Sequence, residues 1–304
     1  MENLVILTGP TGIGKTELSL DLANKFNGEI ISCDSMQIYK KLDIGTAKID
    51  TSKTNIPHYM VDIINPWENF SVSDFQEKSK NLISDINNRG KLPFLVGGTG
   101  LYINSITYKL DFAKTEVNWE YRNKLNYILK NRGVDYLYNR LKELDSNAAE
   151  KIHKNNYQRI IRALEIIKEG NNKGHNFREE NNEYNLCYIG LNMNRERLYE
   201  RINRRVDIMI SKGLVNEVQD ILRSGVDKNS QSLKAIGYKE VISYIDKEIT
   251  YDDMIELIKR NSRRYAKRQL TWFRADNRVK WFDRESDNLI KDIENYIGDR
   301  IEGI

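Results

Sequence analysis

Leu4-Val5-Ile6-Leu7 is an unbroken apolar run, the pattern of a strand buried on both faces of a parallel sheet. Short apolar runs return at Glu29-Ile30-Ile31-Ser32-Cys33, at His58 to Ile64, at Pro93-Phe94-Leu95-Val96 and at Leu186-Cys187-Tyr188-Ile189-Gly190-Leu191. Between them the spacing becomes helical. Glu17 to Ala23 reads as a helix. Ser71, with Asp74 three residues on, caps a second helix that reaches about Asn88 and ends at Gly90. Strands alternating with helices predict an α/β fold. From about Ala113 to Asn185 the alternation stops. Trp119 to Arg132, Asp135 to Leu144 and Tyr157 to Glu169 read as helices, with Gly133 and Gly170 as stops, and 171–185 reads as a polar loop. The expected organisation is therefore a core of residues 1–113 and 186–304 around a helical insertion of residues 114–185. After the last apolar run, helices are expected from Arg195 to about Lys212, over Leu214 to Arg223 and from about Tyr251 to Ala275.

The first strand runs into Gly9-Pro10-Thr11-Gly12-Ile13-Gly14-Lys15-Thr16, which fits G-x-x-x-x-G-K-[ST] between a strand and a helix. Such a loop turns its backbone N–H groups inward, and the helix N-terminus adds a positive dipole end. Lys15 supplies a point charge, and the Thr16 hydroxyl is placed to ligate Mg²⁺. The expected architecture is thus a P-loop NTPase-like parallel sheet flanked by helices. The loop announces a bound phosphate chain without saying which one, or whether it is cleaved. Asp34 ends the second strand, at the edge where parallel sheets bind ligands. It reads either as an Asx turn or as a carboxylate aimed at the crevice. Gly97-Gly98-Thr99-Gly100 follows another strand and is expected to form a second wall of the phosphate site.

The 304 residues, 39% hydrophobic and 30% charged, suffice for one large α/β domain with an accessory piece. Two cysteines, Cys33 and Cys187, argue against a disulfide scaffold and for buried thiols of a cytosolic protein. No apolar run reaches the roughly 18 residues of a membrane span, and the chain does not begin as a signal peptide does. The net charge of +4 is modest, but it is unevenly placed. Between Ile258 and Lys280 stand nine Lys or Arg and one acid, Asp276. Ile258, Ser262, Tyr265, Gln269 and Trp272 make the expected inward stripe, so the basic residues cover most of the remaining surface. One-sign loading forgoes i,i+4 pairing and suggests a polyanionic partner. Arg195, Arg197, Arg201, Arg204 and Arg205 form a second cluster, diluted by acids, from which Arg205 is free to turn inward.

Seven segments taken in order resemble bacterial tRNA dimethylallyltransferases (tRNA isopentenyltransferases, or IPP transferases). They are the glycine loop, Asp34 to Tyr39, Asp43 to Lys48, Val96 to Tyr102, Arg159 to Glu165, Ala235-Ile236-Gly237-Tyr238 and Ala266 to Trp272. The departures are His58-Tyr59, where the family often has two histidines, and Lys154-Asn155-Asn156-Tyr157, where it often has Pro-Asn-Asp before the arginine segment. The resemblance implies transfer of a dimethylallyl group from its diphosphate to the exocyclic amine of a tRNA adenosine. That adenosine lies immediately 3′ of the anticodon, in tRNAs reading codons that begin with U. It implies Asp34, Thr99 and Arg205 as catalytic residues, with Asp34 as the base. It also implies Gly9 to Thr16 as the diphosphate loop and Mg²⁺ on Thr16. The implied tRNA contacts are Asp34, Ser35, Met36, Gln37, Thr99, Arg122, Gln158, Arg159, Ile160, Ile161 and Arg162. Arg263, Lys267 and Arg268 of the basic helix are expected to join them at backbone phosphates. The implied partners are the tRNA anticodon stem-loop and dimethylallyl diphosphate, acted on by a cytoplasmic monomer. Two other readings use parts of the same pattern. A small-molecule or nucleoside kinase would share the loop but needs an ATP site and lid arginines. A non-catalytic RNA binder would explain the basic helix but not Lys15, Thr16 and Asp34 together.

Overall fold

Residues 1–110, 118–169 and 179–301 are described by the computed structural model. They form two compact units, 1–107 with 180–304, and 108–179. The first unit begins β1 (Glu2–Thr8), α1 (Lys15–Lys25), β2 (Gly28–Cys33), β3 (His58–Tyr59), α2 (Val72–Asn88), β4 (Leu92–Gly97) and α3 (Gly100–Thr107). The second holds α4 (Trp119–Leu144), α5 (Ser146–Lys151) and α6 (Tyr157–Lys168). The first then resumes with β5 (Tyr184–Asn192), α7 (Arg195–Ser211), α8 (Leu214–Arg223), α9 (Tyr238–Ile245), α10 (Tyr251–Arg274), β6 (Lys280–Asp283) and α11 (Leu289–Gly298).

Among the described residues, six parallel strands make one sheet in the order β3-β2-β4-β1-β5-β6. This is the expected P-loop NTPase-like sheet flanked by helices. Its centre explains the uninterrupted apolar runs. On β1, Val5 and Leu7 face a core shared with Leu18 and Leu22 of α1 and Ile293 and Ile297 of α11. Leu4 and Ile6 face the opposite core, shared with Phe75 and Ile83 of α2 and Phe273 of α10. Both faces are covered, so alternation has no polar side to show. A third core, among α7 to α10, holds Ile38, Tyr39, Leu214, Val218, Tyr238 and Ile258. In the second unit Leu125, Leu137, Leu141, Ile160 and Leu164 pack together.

The capping box at the start of α2 is formed as expected: Asp74 N–H donates to Ser71 Oγ at 3.1 Å, and Ser71 N–H to Asp74 Oδ2 at 2.8 Å. Three expectations need correction. The run from His58 to Ile64 pairs as a strand only at His58–Tyr59, because Met60 and Asp62 turn left-handed, with φ of 61° and 54°. The insertion is bounded at 108 and 179 rather than 114 and 185. Tyr184 and Asn185 already align with Glu2 and Asn3 of β1, and Asn181 N–H donates to the Thr107 carbonyl at 3.0 Å. On α10 the buried positions are Met254, Ile258, Ala266, Gln269 and Phe273, whereas Trp272 is 40% exposed. Ile258 and Gln269 are thus inward as expected, while Phe273 rather than Trp272 ends the stripe. Gly133 breaks the helical backbone within α4, with φ 79° and ψ 174°. The expected stop at Gly170, and most of the polar loop after it, lie outside the described residues.

Candidate active site

The carboxyl ends of β1, β2 and β4 open onto a cavity of about 530 Å³ in the first unit. The glycine loop forms its floor. Gly14 holds φ 93° at the N-cap of α1, a left-handed conformation suited to glycine. Thr11, Gly12, Gly14, Lys15 and Thr16 line the cavity, while the Ile13 side chain is buried in the core beneath. The Lys15 ammonium donates to the carbonyls of Gly9 at 2.9 Å and Pro10 at 3.0 Å. Burial, followed by the neighbouring Arg205 guanidinium, lowers Lys15 to about 8, against the opposing pull of Asp34. Arg205, from α7, donates to the Thr46 carbonyl at 3.2 Å. Burial lowers its pKa too, again against Asp34. Arg201 and Arg204 line the same wall, and Arg201 Nε donates to the Gly12 carbonyl at 2.9 Å.

Both readings of Asp34 hold at once. Its Oδ1 accepts from Met36 N–H at 2.9 Å, closing an Asx turn, and the residue lines the cavity. Thr99 ties this turn to the second glycine loop, since its Oγ1 accepts from Ser35 N–H at 3.1 Å and its N–H donates to the Cys33 carbonyl at 3.2 Å. Gln37 spends its amide within the site, accepting from Ser32 Oγ at 3.2 Å and donating to the Thr46 carbonyl at 3.4 Å. Met36 is half-buried against the third core. Ile30, Ala47, Ile49, Val61 and Ile208 add apolar lining to the cavity. One cavity is therefore lined by cations, a carboxylate and apolar side chains.

Gln269 lies inward as periodicity placed it, but its role was not read from the sequence. Its Oε1 accepts from Thr11 N–H and its Nε2 donates to the Gly98 carbonyl, both at 2.9 Å. It thereby joins the two glycine loops, and a Cβ on Gly98 would meet its Nε2 at 2.1 Å. In the sequence, a polar residue on an otherwise inward stripe was the only signal. Arg201, Arg204 and Arg205 were visible as a cluster. Their spacing of three and four, which puts side chains on one helix face, was the clue to a common wall.

The remaining predicted contacts divide by burial. On α10, Lys267 and Arg268 are exposed, and the Arg268 guanidinium lies 5.6 Å from the centre of the Tyr265 ring. Arg263 is half-buried and donates to Asn203 Oδ1 at 2.6 Å. In the second unit Gln158 and Arg159 are exposed. Ile160 and Ile161 are buried, at 0% and 5% exposure, so their side chains pack the helices and offer no surface to RNA. Arg122 grips the buried Glu165 carboxylate through two hydrogen bonds, and Arg162 reaches the same group at 3.3 Å.

The family model described as IPP transferase matches residues 37–276, and that described as isopentenyl transferase matches residues 2–56. The chain is 49% identical over 307 residues to the tRNA dimethylallyltransferase of Clostridioides difficile, covering 98% of each chain. It is 47% identical over 309 residues to that of Halalkalibacterium halodurans, covering 99% of this chain and 98% of the other. A full-length tRNA isopentenylpyrophosphate transferase from Bacillus halodurans superposes with a TM-score of 0.75 at 47% identity, covering 99% of this chain and 97% of that one. A eukaryotic dimethylallyltransferase acting on tRNA superposes with a TM-score of 0.83 at 29% identity, covering 99% and 81%.

Proposed function

The chain belongs to the IPP transferase family, and from that premise we propose that it moves a dimethylallyl group from dimethylallyl diphosphate to tRNA. The acceptor is the exocyclic amine of the adenosine immediately 3′ of the anticodon, in tRNAs reading codons that begin with U. Diphosphate is released. The observation that carries this reading is one cavity lined together by a cationic glycine loop, a carboxylate and apolar side chains.

The chemistry needs all three. The amine nitrogen bonds to the terminal allylic carbon as the carbon–oxygen bond to diphosphate breaks, and that electron pair leaves on oxygen. Charge grows on the departing group, so the loop N–H groups, Lys15 and Arg205 stabilise the transition state more than the ground state. The attacking amine must lose a proton, and Asp34 accepts it. The Asx turn uses Oδ1 and holds the carboxylate in place for that task. Thr99 steadies the turn from the opposite loop. The apolar lining takes the hydrocarbon tail. An adenine enters such a cavity only by leaving its stack, which costs a few kcal/mol. Contacts to the tRNA backbone from exposed Lys267 and Arg268, and from the helical unit, offset that cost.

Mg²⁺ fits the donor set. Thr16 lines the cavity at the first turn of α1, and its hydroxyl is the protein donor that would hold the ion. Among the described residues no group of three or more His, Cys, Asp or Glu could hold a metal ion. Its other ligands would be diphosphate oxygens and water, as Mg²⁺ prefers. Bound there, it would neutralise charge on the leaving diphosphate. No described helix is long and apolar enough to cross a membrane. A cytoplasmic location accords with a tRNA substrate.

The test is incubation with labelled dimethylallyl diphosphate and bulk tRNA lacking the modification, followed by nucleoside analysis. Label in dimethylallyl adenosine is expected. Tighter binding of ATP than of dimethylallyl diphosphate, with phosphate transferred from ATP, would replace this reading with a kinase.

A further inference from the structure

Two of the sequence segments supply no charged or reacting side chain to the chemistry above: Asp43 to Lys48 and Ala235 to Tyr238. They meet at one carboxylate. Glu217, on α8, accepts from the consecutive backbone N–H groups of Asp43 at 2.9 Å, Ile44 at 2.7 Å and Gly45 at 3.1 Å. Successive N–H groups converging in this way form an anion-binding nest. The Tyr238 hydroxyl donates to the same carboxylate at 2.6 Å. Tyr238 is fully buried, and a Cβ on Gly45 would meet its ring at 2.4 Å, so loop and ring are fitted to each other. Burial first, and then the Glu217 charge, raise the phenol pKa, which keeps the hydroxyl a donor.

The next residue of the loop connects this clamp to the site. The Thr46 carbonyl accepts from Arg205 at 3.2 Å and from Gln37 at 3.4 Å, and Ala47 lines the cavity. Thr46 is itself held, its Oγ1 donating to the Leu42 carbonyl at 2.6 Å. The guanidinium that faces the diphosphate is thus aimed by a carbonyl whose loop is pinned by a carboxylate one helix away.

We propose that Glu217 and Tyr238 are positioning residues for Arg205, acting through the 43–46 loop. This rests on the reading of the cavity as a diphosphate site, and its test therefore uses inorganic diphosphate rather than turnover. Equilibrium binding of inorganic diphosphate is measured for the parent, Glu217→Gln, Tyr238→Phe, Arg205→Ala and the two double variants with Arg205→Ala. Glu217→Gln turns an amide toward a nest of donors and is expected to weaken binding about 10-fold. Tyr238→Phe removes one hydrogen bond and is expected to weaken it about 3- to 5-fold. In the Arg205→Ala background both losses should vanish, since positioned and positioning groups do not add. Tyr238→Phe carries the same test should Glu217→Gln fold poorly. Parent-like affinity in Tyr238→Phe, or losses that persist in full without Arg205, would overturn the proposal. Failure of the parent to bind diphosphate at all would instead remove the diphosphate reading.

Discussion

Strand β2 carries a carboxylate at each end, and the two are treated in opposite ways. Glu29, at the amino end, is 1% exposed and enclosed by cations. Arg89 grips it through two bonds of 2.7 and 2.6 Å, Lys91 reaches it at 2.7 Å, and the Tyr59 hydroxyl donates at 2.9 Å. At the carboxyl end the excess of cations is larger, and they are held on neutral acceptors. Lys15, Arg201, Arg204 and Arg205 gather in a cavity with Asp34, and Lys15, Arg201 and Arg205 donate to carbonyl oxygens. A buried charge matched within the chain serves the fold. An excess of one sign, held on neutral acceptors, serves an incoming ion of the other sign.

The sharpest way to break this contrast is to neutralise the two carboxylates separately. Asp34→Asn keeps an oxygen for the Asx turn and removes the proton acceptor. Single-turnover transfer with saturating tRNA should slow by roughly 10²- to 10⁴-fold, while diphosphate binding changes little. An unchanged rate would make Asp34 a turn residue and nothing more. Next in size, Lys15→Ala should weaken donor binding about 100-fold and lower the rate as well, because its charge meets the phosphates before and during the reaction. Direct titration of dimethylallyl diphosphate reads this out.

Glu29→Gln should leave transfer by the folded enzyme unaltered and cost stability instead. Arg89 and Lys91 are about one-third exposed, so water recovers part of the loss. About 2 kcal/mol is expected, read from urea unfolding. The pH dependence has a definite sign. Hydrogen bonding to Arg89 is the main cause that lowers Glu29 to about 2. Its contribution to stability is full above the ordinary value of 4.5 and is lost as pH falls from there towards 2. Glu29→Gln should lack that part of the acid sensitivity. Smallest are the exposed cations of α10. Lys267→Ala and Arg268→Ala should each flatten the salt dependence of tRNA binding by about 0.7 to 0.9 in log–log slope. Arg263→Ala should flatten it less, since that guanidinium is already engaged by Asn203.

The diphosphate end was legible because its parts are adjacent in sequence. A strand, a glycine loop and a helix carry their meaning within sixteen residues. The place of Asp34 in the cavity was legible from its position at a strand end. What escaped was the brace between distant segments. Nothing local marks Gln269 as a partner for Thr11, or Glu217 as one for Ile44. The shortened β3 escaped because left-handed residues at Met60 and Asp62 leave no periodic trace. Trp272 was misplaced because steps of three and four diverge by a residue along so long a helix. Ile160 and Ile161 were carried into the tRNA set with their arginine neighbours, although an apolar pair inside an amphipathic helix belongs to the core.

The Thr11–Gln269 hydrogen bond spans 258 positions of the chain, and this has a consequence for synthesis on the ribosome. The glycine loop is made 258 positions before its brace. At about 5 to 20 residues per second, on the order of 13 to 50 s separate them. During that interval the nascent chain can assemble β1, β2, β4 and β5 in turn, yet Thr11 and Gly98 still await their shared partner. A polypeptide released early, before α10, would therefore carry an intact loop sequence without the clasp that sets its shape. Competence for the reaction is gained only once α10 has been made and has docked.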